Sequence, residues 1–369
     1  MRKLKVLVVG QTPPPYGGQA IMIQKVLEGH YDMVDLYHVR MAFSHTMSEM
    51  GKFKFYKLHE QIKVVIKILR LSFQYRFDAL LYPPAASNRW SLIRDITTLI
   101  AIRWMFPKVV FMFHAGGLSM VYNSASLWLK SLMKLAYFRP DIAVHVSHLL
   151  TDDGRTIHAR KILVVHNTTE DVYPLYSAHR SMNEVPVILF VGALFASKGI
   201  FDLLDSCNIL RSRGIDFQLK VMGEGDQEMS IRDYISRNRL EDNVTLLGVK
   251  TNEEKWKEFA RADIFCFPTY FEAETFGLVV LEAMMFSLPI VATRWRGLPE
   301  LVRDGENGFL VPIRSPHLLA EKLQLLIENP ILRVKMGKHG RDLFLGHFTP
   351  EHFYKKMNDL FLLLQEVSE

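Results

Sequence analysis

Short apolar runs alternate with longer amphipathic stretches through most of this 369-residue chain. Leu4–Val9, Ala79–Tyr82, Val109–His114, Ile142–Val146 and Ile162–Val165 are such runs. Their length and composition predict buried β-strands. Most are separated by stretches of helical spacing, including one near residues 19–29. The pattern breaks at 173–186, YPLYSAHRSMNEVP, a polar segment bracketed by prolines that reads as an interdomain linker. The alternation restarts with Val187–Val191, Gln218–Met222, Val244–Leu246, Ile264–Phe267 and Pro289–Ala292. Two successive βαβ series predict an α/β protein with two doubly wound parallel sheets, over residues 1–172 and 187–345. An amphipathic helix is expected at Glu351–Gln365, within a final segment 346–369. Ligands of such sheets bind at the carboxyl ends of the strands. The expected site is therefore a cleft between the two domains.

Composition narrows the class. A chain that is 49% hydrophobic and 23% charged is an ordinary folded one. Its two cysteines, Cys207 and Cys266, lie in apolar surroundings without metal-ligand spacing and read as buried free thiols of a reducing compartment. The opening MRKLKVLVVGQ has a basic tip but only four apolar residues in a row, Val6 to Val9, which suits a first strand rather than a signal peptide. No apolar run approaches the length of a bilayer span. A cytoplasmic protein is the expectation. The net charge of +6 is unevenly distributed: residues 1–180 hold 23 Lys and Arg against 12 Asp and Glu, whereas 181–369 hold 22 against 27. The first half should seek an anionic partner. No nucleic-acid-binding module accompanies the charge, so nucleic acid is not the expected partner.

The densest chemistry lies at 268–285, PTYFEAETFGLVVLEAMM, after the run Asp263–Phe267. A loop carries Glu272 and Glu274, and a helix predicted from about Phe276-Gly277 carries Glu282 two turns in. A helix N-terminus exposes backbone N–H groups, and Gly277 lets a ligand come close. Such an arrangement suits a nucleotide-sugar, with the diphosphate on the helix end, one carboxylate on sugar hydroxyls and the other on the ribose. Taken alone, a carboxylate here would also simply favour the positive end of a helix dipole. The whole string E-x-F-G-L-x-x-x-E-A resembles the retaining GT-B glycosyltransferases of the group 1 family, marked by Glu-x7-Glu. The resemblance covers nearly the whole chain and is strongest over 187–310. It implies two Rossmann-like domains facing a cleft, with the C-terminal helix crossing back.

Other loops are read beside it. Gly10-Gln-Thr-Pro-Pro-Pro-Tyr-Gly-Gly18 follows the first strand. It is either a tight turn or a place of close backbone approach, and Gly17 and Gly18 match a family loop that touches donor sugar and phosphate. His114 ends a strand ahead of Ala-Gly-Gly117. It is either a structural histidine or, by the resemblance, a group near the donor sugar. In Val-Gly-Ala-Leu-Phe-Ala-Ser-Lys-Gly199, Lys198 and Gly199 match the family's diphosphate clamp, but Ala193 stands where the family has arginine. A methyl group does not replace a guanidinium. Arg296, at a position where the family has glycine, is a candidate substitute for that charge. Met222-Gly-Glu-Gly-Asp226 resembles the family's G-x-G turn and places Glu224 with the donor, and Leu246–Lys250 resembles its base-contacting segment.

The resemblance thus implies Glu274, His114 and Lys198 as catalytic candidates. Gly17, Gly18, Gly199, Glu224, Phe276, Gly277, Leu278, Val279, Glu282 and Arg296 are the donor-binding candidates. No Asp-x-Asp metal motif is present, so metal-independent transfer without a cofactor is expected. The expected donor is a nucleotide-sugar, most commonly a UDP-sugar, and the expected acceptor is a lipid-linked oligosaccharide of cell-surface polysaccharide. A non-catalytic partner subunit and a nucleotide-sugar epimerase are the alternatives. A phosphorylase would need a pyridoxal-binding lysine, for which no motif is seen.

Residues 52–76 hold seven Lys and Arg and one acid. Leu58, Ile62, Val65, Ile66, Leu69 and Phe73 fall on one helical face, and Lys63, Lys67, Arg70 and Gln74 on another. Residues 126–139 are similar. Either these helices lie on an anionic membrane, giving a peripheral protein on the inner face of the cell membrane, or their apolar faces join the core and their basic faces are solvated.

Overall fold

The structure is a computed structural model. It describes residues 2–14, 17–43, 55–85, 89–179 and 183–366. Parts of the first glycine loop (15–16), the basic stretch (52–54), the proline-bracketed segment (180–182) and the final segment (367–369) lie outside the described residues. The chain forms two compact units, one of residues 1–167 with 351–369 and one of residues 168–350.

The first unit holds strands β1 (Leu4–Gly10), β2 (Val34–Arg40), β3 (Ala79–Tyr82), β4 (Lys108–Phe113), β5 (Ile142–His145) and β6 (Lys161–Val164), in the order β2-β1-β3-β4-β5-β6. The second holds β7 (Val187–Val191), β8 (Gln218–Met222), β9 (Val244–Gly248), β10 (Ile264–Phe267), β11 (Ile290–Thr293) and β12 (Gly308–Val311), in the order β12-β11-β10-β7-β8-β9. The pairings are parallel; in the second sheet Phe265 of β10 opposes Leu189 on one side and Ile290 on the other. Helices cover such sheets on both faces, so central strands read as continuous apolar runs. β3, β4, β5, β7, β10 and β11 are buried at every residue. Two strands escaped the sequence reading, β2 and β12, and both lie at sheet edges. β2 carries Asp35, His38 and Arg40, which break its apolar run; charged side chains on an edge also discourage pairing with another chain.

The division between units falls at Asn167/Thr168, not at the proline-bracketed segment 173–186. Residues 171–176 are tied into the second unit. Arg341 binds the Asp171 carboxylate with both terminal nitrogens, at 2.7 and 2.6 Å. The rings of Tyr173 and Tyr176 meet Phe286 at 5.8 and 6.4 Å. The last helix, Pro350–Glu366, returns the chain to the first unit. It buries Phe353, Met357, Leu360, Phe361 and Leu364 there, with Phe361 edge-on to Tyr31 at 4.8 Å.

On the first unit, the helix Phe55–Gln74 docks through Val64 and Ile68. Neither belongs to the apolar face read from the sequence. Four of that face's residues, Leu58, Ile62, Ile66 and Phe73, are exposed, while Val65 and Leu69 are partly buried against the core. The alternative in which that face joins the core therefore fails for its exposed members. Among the described residues, no helix is long and apolar enough to cross a membrane.

Candidate functional site

In the second sheet the strand order reverses between β7 and β10. β8 and β9 extend to one side of β7, while β10, β11 and β12 extend to the other. Loops leaving the carboxyl ends of two such strands diverge and leave a crevice between them. Here those loops are 192–199, after β7, and 268–277, after β10. Tyr270 N–H donates to the Ser197 carbonyl at 2.8 Å, which ties the loops together at their bases.

From one loop comes Lys198 and from the other Glu274, with Nζ and Oε2 2.6 Å apart. Their side chains are 14% and 12% exposed. The ammonium also lies over the rings of Phe271, 4.8 Å from its centroid, and Phe267, 5.5 Å from its centroid. Removing both charges from water is costly, and each offsets that cost for the other. Backbone constraints hold the pair. Gly199 is left-handed, at φ 76°, and a Cβ there would lie 2.0 Å from the Pro268 carbonyl oxygen. Only a glycine lets the lysine loop turn into the helix Ile200–Ser212 this close to the other loop.

The second loop ends at Gly277, also left-handed at φ 80°, which opens the helix Leu278–Met285. No side chain caps this helix, and its first turn carries no acid. Its positive end therefore meets no capping or acidic side chain from its own first turn. One turn into the helix, rather than two, stands Glu282, 8% exposed. Its Oε1 receives Lys255 Nζ at 2.5 Å, and its Oε2 is buried with no hydrogen-bond partner. Lys255, from the helix Asn252–Arg261, lies 4.7 Å over the Trp256 ring.

Arg296 reaches the same loop. Its guanidinium pairs with Glu272, and the neighbouring Trp295 indole N–H donates to the Phe271 carbonyl at 2.9 Å. Arg296, from the loop after β11, is thus held at the loop that carries Glu274 by the Glu272 carboxylate. Leu278 and Val279 are half-buried in the first turn of the helix. The Phe276 ring is 1% exposed and packs on Phe348 at 5.9 Å, which leaves the backbone N–H rather than the side chain as its expected donor contact. Glu224 is exposed, and its carbonyl accepts from Leu194 N–H at 2.9 Å, which joins the 223–225 turn to the loop after β7.

The remaining candidates belong to the first unit. Gly17 and Gly18 open the helix Gly18–Glu28, which has no side-chain cap; Gly17 is extended, so its value there is small size rather than left-handed freedom. His114 follows β4 and is buried beside Asn167, and burial pushes its pKa down to about 4, so the ring is neutral at pH 7. The nearby helix start at Gly117 is already occupied, since Asp153 accepts the N–H groups of Gly117 and Ser119 at 3.0 and 2.7 Å. Lys255 and Asp153 were not singled out in the sequence. Lys255 sits in a charge-balanced, amphipathic helix whose spacing reads as solvated, and only the fold brings it to Glu282.

Two parallel six-stranded sheets, with lysine–carboxylate pairs and an uncapped helix at the switch point of the second, make this a GT-B protein. The same fold is found in sucrose-phosphate synthase from Thermosynechococcus elongatus, with a TM-score of 0.74, 19% identity, and 99% and 100% of the two chains covered. Anabaena HepE in complex with UDP and glucose matches at TM-score 0.70 and 18% identity, over 97% and 99% of the chains. Residues 177–343 match the family of glycosyl transferases group 1, and the second unit is a group 1 glycosyltransferase domain. An uncharacterised glycosyltransferase of Methanocaldococcus jannaschii is 30% identical over 229 residues, 60% of this chain and 61% of the relative. The capsular polysaccharide biosynthesis glycosyltransferase CapM of Staphylococcus aureus is 29% identical over 215 residues, 58% of this chain and 54% of CapM. The chain thus spans a little over half the length of these curated relatives.

Proposed function

We infer that this protein transfers a glycosyl group from a nucleotide-sugar, with a UDP-sugar as first candidate, to a lipid-linked oligosaccharide in cell-surface polysaccharide assembly. The observation that carries the reading is the half-satisfied Glu282 carboxylate, one turn inside an uncapped helix N-terminus and on the same helix–loop unit as Glu274. A buried acceptor without a donor is costly, and ribose hydroxyls supply donors. HepE, solved with UDP and glucose, and CapM, of capsular polysaccharide biosynthesis, support the donor class and the product class.

In this reading the diphosphate lies at the amides of Leu278 and Val279 and draws Lys198 from Glu274. Glu274, released, holds the sugar hydroxyls. The bond from the anomeric carbon to the phosphate oxygen breaks, the acceptor oxygen bonds to the same face of that carbon, and the acceptor proton passes to the departing phosphate oxygen. Configuration is retained. Cations and amides aimed at the leaving group matter most where its charge develops. Ala193 favours a second reading, a subunit that keeps the fold without turnover.

The test is nucleotide release from UDP-, GDP- and ADP-sugars, with and without a lipid-linked acceptor extract. Acceptor-dependent release, lost in Glu274→Ala and lowered about 10²–10³-fold in Lys198→Ala, is the expected result. Absence of both release and donor binding would overturn it in favour of the silent subunit.

A further inference from the structure

The helix Phe55–Gln74 has two apolar faces, and the first unit uses only one. At 100° per residue, Val64 and Ile68 point inward, whereas Leu58, Ile62, Ile66 and Phe73 fall within an arc of about 80° on the outer side. Phe73 is 79% exposed. Next along the circumference come Lys63, Lys67 and Arg70, also exposed. The only acid on this helix is Glu60, which pairs with Lys63 at 2.8 Å.

The neighbouring helices continue the pattern. Gln61 of the first helix donates to the Arg94 carbonyl at 3.1 Å and to Thr97 at 2.7 Å, which fixes the helix Arg89–Ile102 alongside. Arg103, just beyond that helix, donates to the carbonyls of Ala136 and Phe138 at 2.7 and 2.5 Å, which brings the helix Leu127–Tyr137 up on the far side. That third helix buries Met133, Ala136 and Tyr137, yet leaves Leu127 84% and Trp128 73% exposed. It carries Lys130 and Lys134 and no acid, and the one acid of the middle helix, Asp95, is fully buried. Three adjacent helices thus present exposed Leu, Ile, Phe and Trp interleaved with lysine.

We propose that this three-helix face docks the first unit onto an anionic lipid bilayer. Charge complementarity selects that occupant. Five exposed or half-exposed cations face outward against one paired acid, tryptophan suits the headgroup level, and lysine stems lie along apolar surface while their ammonium groups reach lipid phosphates. A second copy of the chain would bring the same cations against each other. The inference is independent of the donor chemistry, since it concerns binding of the protein alone.

The experiment is co-sedimentation of the full chain with vesicles of phosphatidylcholine, pure or mixed equally with phosphatidylglycerol, in low and high salt. Binding should occur on the mixed vesicles only and weaken with salt. Lys63→Gln with Lys67→Gln should lower the partition coefficient roughly 30-fold. Ile62→Gln and Trp128→Gln should each lower it about 10-fold, whereas Leu175→Gln, an exposed leucine of the second unit, should leave it unchanged. These side chains are outside the core, so thermal midpoints should be kept. No binding, equal binding to neutral vesicles, or full binding by the lysine pair variant would overturn the proposal. So would a salt-stable dimer that Trp128→Gln dissociates, which would make a second copy the occupant.

Discussion

Lys255 Nζ lies 2.5 Å from Glu282 Oε1, and this contact joins two helices whose sequences start 26 residues apart. It neutralises a carboxylate that is otherwise buried, and it leaves the second oxygen without a hydrogen-bond partner. Lys255→Met removes the neutralising charge and should cost about 3 kcal/mol of stability, because an unpaired buried carboxylate is costly. Adding Glu282→Gln should restore most of that loss. Urea denaturation of the two single variants and the double variant measures it; additive losses would show that the pair is not coupled.

Gly199 sets how closely the Lys198 loop approaches β10. Gly199→Ala places a Cβ 2.0 Å from the Pro268 carbonyl oxygen at a left-handed φ of 76°. The expected loss is about 2–3 kcal/mol, combining backbone strain with displacement of a rigid loop. A shift in denaturant midpoint with an unchanged slope would report it.

Arg296 and Glu272 make opposite predictions if the guanidinium serves a bound diphosphate. Arg296→Ala should weaken UDP binding about tenfold. Glu272→Gln should tighten it, because the competing carboxylate charge is gone. Calorimetric titration with UDP decides this, and unchanged affinity in Arg296→Ala would remove Arg296 from the donor site.

Stability should fall on mild acidification. Burial pushes both His114 and His145 down to about 4, while an unfolded histidine titrates near 6.5. Between those values the unfolded chain holds the extra protons. Stability present above about pH 6.5 is therefore lost as pH falls towards 4, by about 1.4 kcal/mol per pH unit for each histidine. His145 stacks on Phe113 at 4.8 Å, with Asp153, Asp152 and Arg155 nearby. His145→Phe keeps the stacking and should reduce the slope by about half. Urea midpoints at about pH 7.5 and about pH 5 provide the comparison.

Much of this protein could be read one residue after another. Central strands of a parallel sheet are buried on both faces, so they show as apolar runs, and ten of the twelve strands among the described residues were visible that way. The Glu274–Glu282 spacing was visible because a loop and the helix it feeds are contiguous in the chain. Edge strands such as β2 were not, since one solvated side admits Asp35, His38 and Arg40.

Periodicity showed that Leu58, Ile62, Ile66 and Phe73 share a face, but not whether that face is covered. Tertiary packing decided it, by turning Val64 and Ile68 to the sheet. Tertiary structure alone also joined Lys198 to Glu274, 76 positions apart, Lys255 to Glu282, and Arg296 to Glu272. The Lys198–Glu274 pair follows from strand order at the switch point between β7 and β10, whose outgoing loops carry the two residues. Local spacing does not encode that order, because a parallel sheet brings distant loops to one end whatever lies between them.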